Sequence, residues 1–113
     1  MKSETFVASK DVYDEWAGDY VVTALTGADA LDIEEEIFKH LRKKNITNIT
    51  MENYPFSLER RLGLAKSVLR DGKEIFGVDI EDMPQRLYKI LMGLYQKLNE
   101  PSQDEATFLS KAL

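Results

Sequence analysis

The chain has no cysteine, a single histidine, three prolines, one tryptophan and no apolar run near the roughly 20 residues that cross a bilayer. Without cysteine there is no disulfide scaffold and no thiolate metal site. With His40 as its only imidazole, the sequence cannot build a Cys–His dyad or a multi-histidine metal centre. Its glycines, Gly18, Gly27, Gly63, Gly72, Gly77 and Gly93, never reach the spacing of a phosphate-cradling loop. The acidic run Asp29, Asp32, Glu34, Glu35 and Glu36 lacks the glycine-punctuated loop of a calcium hand. These gaps argue against an enzyme and against any metal or cofactor. The opening MKSETFVASK lacks the apolar stretch of a secretory signal, so the expectation is a cytoplasmic protein with no membrane contact. The two Asn-Ile-Thr triplets therefore have no glycosylation context. Twenty acidic against fifteen basic side chains give a net charge of −5, which works against duplex binding and favours a protein partner.

What is present points to interaction. At 113 residues the chain is one domain, 1–113, large enough to bury a core. In residues 82–99, Met83, Leu87, Ile90, Leu91, Leu94 and Leu98 form a helical stripe that Tyr88, Met92 and Tyr95 widen to roughly half the circumference. A helix this apolar needs more than one neighbour. It is either the centre of a small helical domain or shared with a second subunit, and a homo-oligomer with Tyr88, Met92 and Tyr95 on the shared side is expected.

Residues 1–25 differ in character. Phe6, Val7, Tyr13 and Trp16, then the β-prone Tyr20–Thr23 broken off by Gly18, predict a small β-ribbon or extended arm. Thr26 to Asp29 matches a capping box and opens a helix over about 29–44, acidic at its start and basic at its end as the helix dipole favours. Leu31, Ile33, Ile37, Phe38 and Leu41 make its apolar face, with Glu34 reaching solvent from that side. His40 serves as a capping or packing residue, and Lys39 to Lys44 is at most a weak nucleic-acid patch. Asn45 to Thr50 reads as a loop or a short strand that could pair with residues 20–24. Pro55 and Ser57 open a second helix, and Leu58, Leu62, Ala65 and Leu69 carry it past Asp71-Gly72 to Gly77. Asp79 or Asp82 caps the third helix and Pro101 ends it. Ser102 and Glu105 cap a last short helix, 103–112, burying Phe108 and Leu109.

The fold class expected is mainly α: three main helices plus a short C-terminal helix over 29–112, with the N-terminal β element over 1–25. Tyrosine and tryptophan combine large buried area with a polar tip, so Trp16, Tyr20, Tyr88, Met92 and Tyr95 are the candidate partner-binding residues.

At Leu25-Thr26-Gly27-Ala28-Asp29-Ala30-Leu31, a β-prone segment leading into an acidic helix, the sequence resembles the tail assembly chaperones of long-tailed bacteriophages and archaeal viruses. Ile80-Glu81-Asp82-Met83-Pro84, Leu98-Asn99-Glu100-Pro101 and Asp104-Glu105-Ala106-Thr107-Phe108 are similar to the second half of such proteins, so the likeness spans about residues 20–110. It implies a non-enzymatic, multimerising protein of the host cytoplasm. Such a protein coats the elongated helical tape-measure protein and recruits tail-tube subunits before leaving the finished particle. The alternatives are a structural head–tail connector that stays in the virion, or a small intracellular helical adaptor or regulator.

Overall fold

The computed structural model describes residues 2–100, and the helix expected over 103–112 lies outside them. Among the described residues the architecture is mixed α/β, not mainly helical: five helices and a four-stranded antiparallel sheet whose strands lie side by side in sequence order. Strand β1 (Ser3–Ala8) pairs with β2 (Gly18–Thr23) from Ser3↔Thr23 to Ala8↔Gly18. Helix α1 (Lys10–Tyr13) and a 3-10 turn (Asp14–Trp16) join them. Helices α2 (Gly27–Lys43) and α3 (Phe56–Ser67) are inserted between β2 and β3 (Val68–Arg70), which pairs with β2 through Val22↔Val68. Then β4 (Lys73–Glu74), α4 (Gly77–Asp82) and α5 (Gln85–Asn99) complete the order.

The N-terminal ribbon is therefore half of a larger sheet, and the long second helix expected from the spacing of Leu58, Leu62, Ala65 and Leu69 is cut at Ser67. Asp71 (φ 51°) and Gly72 (φ 80°) form a two-residue turn with both φ positive, the type I′ geometry whose twist suits a hairpin. Backbone pairing of Arg70 with Lys73 and Leu69 with Glu74 replaces the helical bonds. The postulated pairing of residues 45–50 with β2 is excluded because β1 and β3 occupy both edges of β2.

Helix α5 lies across one face of this sheet. Tyr20, Val22 and Val68 from the strands and Leu87 and Leu91 from α5 are almost wholly buried together with Leu64 of α3. The width of the α5 stripe thus has its neighbours within the chain: the sheet and α3. Asn99 pins the end of α5, its Oδ1 accepting from the Leu25 backbone N–H (2.6 Å) and its Nδ2 donating to the Tyr95 carbonyl (3.0 Å). Among the described residues no helix is long and apolar enough to cross a membrane.

Candidate partner-binding surface

A second, smaller core sits apart from the first. Ile33, Ile37 and Leu41 recur at four-residue spacing on α2, which puts them on one line of the helix. They pack against Leu25, Ile46, Tyr54, Leu58 and Leu62. The start of α2 is the capping box expected from the sequence: Thr26 Oγ1 accepts from the Asp29 N–H (3.2 Å) and Asp29 Oδ2 from the Thr26 N–H (3.0 Å). Those hydrogen bonds favour the ionised carboxylate and hold Asp29 below its ordinary pKa.

At the other end of α2, Asn45 takes the left-handed conformation (φ 57°), its N–H donating to the Arg42 carbonyl (3.0 Å) while the Ile46 N–H donates to Leu41 (3.0 Å). This is the Schellman arrangement, and the accompanying apolar contact is made by Ile46 and Leu41, which share the small core. The next turn is held by its own side chains. Thr50 and Asn53 exchange side-chain and backbone hydrogen bonds (2.8 and 3.3 Å), and Asn53 Nδ2 donates to the Asn48 carbonyl (2.8 Å). The doubled Asn-Ile-Thr tripeptide thereby serves two ends: Ile46 staples the helix, whereas Ile49 is presented outward.

The result is an apolar surface with no cover among the described residues. Leu31 and Phe38, seven residues apart and hence two turns along one face of α2, are 67% and 43% exposed. Ile49 and Met51 of the loop are 48% and 80% exposed. Between α2 and the loop runs a groove of about 340 Å³ whose walls include Ile37, Phe38, Leu41, Ile49 and Tyr54, with Glu34 and Glu59 among them. The Tyr54 phenol is pushed up to about 12, by burial first and then by the nearby carboxylates of Glu59 and Glu34. On the opposite side of α2, Lys39, His40 and Lys43 border a more open depression floored by Leu58 and Leu62.

The five residues singled out from the sequence do not form one exposed surface. Tyr20 is fully buried, its hydroxyl donating to the Trp16 carbonyl (2.7 Å), and burial raises its phenol above the ordinary value. Met92 is likewise interior. Tyr88 and Tyr95 are half-buried against the main core, as is Trp16, over whose ring the Arg70 guanidinium lies at 5.5 Å. Sequence reasoning missed Ile49 and Tyr54, which line the groove with α2 only through the loop, and the exposed Met51 of the same loop. The available signal was the displacement of Leu31 and Phe38 from the Ile33–Ile37–Leu41 line. No protein-family model, no curated protein and no solved structure matches this chain.

Proposed function

We propose that this protein is a non-enzymatic chaperone of viral tail assembly, which multimerises in the host cytoplasm, coats the tape-measure protein and meets tail-tube subunits. The observation that supports this reading is the uncovered apolar surface of α2 and its loop, held on a small core of its own beside the sheet and α5. Its strength suits transient coating. Scaling about 1.5–3 kcal/mol per large apolar side chain by the exposures of Leu31, Phe38, Ile49 and Met51 yields about 4–7 kcal/mol of gross burial. That is comparable to the ~4 kcal/mol or more that association costs, so one copy alone binds weakly. Many copies along one elongated partner bind through avidity and can still be displaced stepwise.

The test is co-expression with a tape-measure protein followed by pull-down at about 50 and 300 mM salt, where apolar contacts persist and exposed charge pairs are screened. Recovery at both concentrations supports the reading. A chain that instead remains in finished particles is a connector. One that binds only duplex DNA, with steep salt dependence, owes its role to Lys39–Lys44.

A further inference from the structure

Two carboxylates beside the apolar groove are left without a counter-ion. Among the described residues four acids elsewhere form ion pairs, Asp32 with Lys66 (3.3 Å), Glu36 with Lys39 (3.3 Å), Glu4 with Lys97 (2.8 Å) and Glu81 with Arg61, and most of the other acids stand alone in solvent, away from this groove. Glu34 and Glu59 form no ion pair among the described residues, although both line the groove that holds Phe38, Ile49 and Tyr54. They approach from different helices, α2 and α3, so the negative charge is focused by the fold and not by sequence proximity.

We propose that this groove takes an amphipathic helix of a different protein. The helix lays large apolar side chains on Phe38 and Ile49 and brings a lysine or arginine to Glu34 and Glu59. The inference rests on the reading of the chain as a binder of an elongated helical polypeptide, and it names the chemistry of the bound face. Three features fit a helix. Leu31 and Phe38 are two turns apart, so their separation of roughly 10 Å matches anchors seven residues apart on the partner. A groove of about 340 Å³ is at the small end of ligand pockets and holds one or two side chains, not a domain edge. The loop that forms its far wall is stiffened by the Thr50–Asn53 hydrogen bonds, so the groove is formed before binding. A net charge of −5 disfavours a second copy as the occupant, and the light-scattering arm below tests for one.

The test uses the full chain and two fluorescein-labelled helical peptides of about 18 residues, five turns. Both carry a leucine stripe on an alanine background. One has arginines beside the stripe and the other has glutamates. At about 100 mM salt, fluorescence polarisation is expected to give roughly tenfold tighter binding of the Leu/Arg peptide, the size that two exposed ion pairs supply. Glu34→Gln with Glu59→Gln removes the preference, and Phe38→Glu abolishes binding of both peptides while the thermal melt stays unchanged. Equal binding of the two peptides, no binding up to about 1 mM, or binding that survives Phe38→Glu overturns the proposal. So does light scattering that finds a dimer which Phe38→Glu dissociates. The two levels separate cleanly. A tape-measure complex that survives Phe38→Glu sinks the groove and leaves the chaperone reading standing. Peptide binding as expected without any tape-measure complex does the reverse.

Discussion

The Tyr95 ring of α5 lies directly over Gly63 of α3: a Cβ placed on Gly63 would sit 2.9 Å from Tyr95 Cζ and nearer still to the hydroxyl oxygen. The two helices can approach this closely only because one of them lacks a side chain at the crossing. Glycine inside a helix costs roughly 0.5–1 kcal/mol relative to alanine, so Gly63→Ala carries an intrinsic gain. Overpacking against a half-buried ring costs typically about 1–3 kcal/mol, which outweighs that gain. Gly63→Ala is therefore expected to destabilise, and to do so less in a Tyr95→Leu background, as a double-mutant cycle in urea would measure. Gly93, also helical, has nothing within 4 Å of the same added atom, so Gly93→Ala is expected to stabilise by about 0.5–1 kcal/mol.

Leu91 is fully buried where α5 meets the sheet. Leu91→Ala is expected to lose about 2–5 kcal/mol by denaturant melt, because the rigid strands opposite it cannot collapse into the cavity. A loss below about 1 kcal/mol would mean that α5 is not seated on the sheet.

Arg70 ties the turn before β2 to the β3–β4 hairpin. Its Nη2 donates to the carbonyls of Glu15 (2.6 Å) and Ala17 (2.7 Å), and its guanidinium lies 5.5 and 5.8 Å from the Trp16 and Tyr20 ring centroids. Lysine has neither the planar fork nor the stacking face, so Arg70→Lys is expected to cost about 1–3 kcal/mol and to shift Trp16 fluorescence. Unchanged emission would place Trp16 away from this side chain.

Tyr54 gives the fold an alkaline limit. Its pKa rises from an ordinary 10.0 in the unfolded chain to about 12 when folded, so the folded state retains its proton over that interval and stability falls as pH climbs from 10 to 12. Below pH 10 this contribution is fully present. Buried Tyr20 and half-buried Tyr95 are shifted in the same direction. Tyr54→Phe is expected to flatten part of the alkaline slope in a series of urea melts, and an identical slope would place Tyr54 in solvent.

Thr26→Ala removes the acceptor for the Asp29 N–H and is expected to cost about 1 kcal/mol of stability, the usual worth of an N-cap. Below the Asp29 pKa the wild type should move toward the variant, because a protonated carboxyl is a poorer acceptor for the Thr26 hydroxyl, a bond the variant lacks. Melts compared at neutral and acid pH would measure both.

Local chemistry was legible wherever neighbours in sequence are neighbours in space. The Thr26–Asp29 capping box and the stripe of α5 depend on residues three, four or seven apart and stand where the sequence placed them; of the expected α2 face, Ile33, Ile37 and Leu41 are buried while Leu31 and Phe38 stay exposed. The hairpin was the instructive miss. Val68 and Leu69 fit a helical stripe and a strand equally well, and the helix expected to run through Asp71-Gly72 to Gly77 gives way there to a hairpin turn. The choice falls to β2, whose free edge pairs with Val68 and Leu69 across a separation of more than forty residues. No window of local periodicity contains that information.

The same division separates the candidate site from the aromatic residues first chosen for it. By itself the sequence determined the helices with strong periodicity, the lack of thiol and multi-histidine chemistry, and the excess of negative charge. Tertiary structure decided which apolar groups are spent on the core. Tyr20 of β2 and Met92 of α5 are taken up in the main core, whereas Leu31, Phe38, Ile49 and Met51 remain outside. An apolar side chain carries the same transfer free energy wherever it lies in the sequence, and only the packing of distant elements settles which of them leave water.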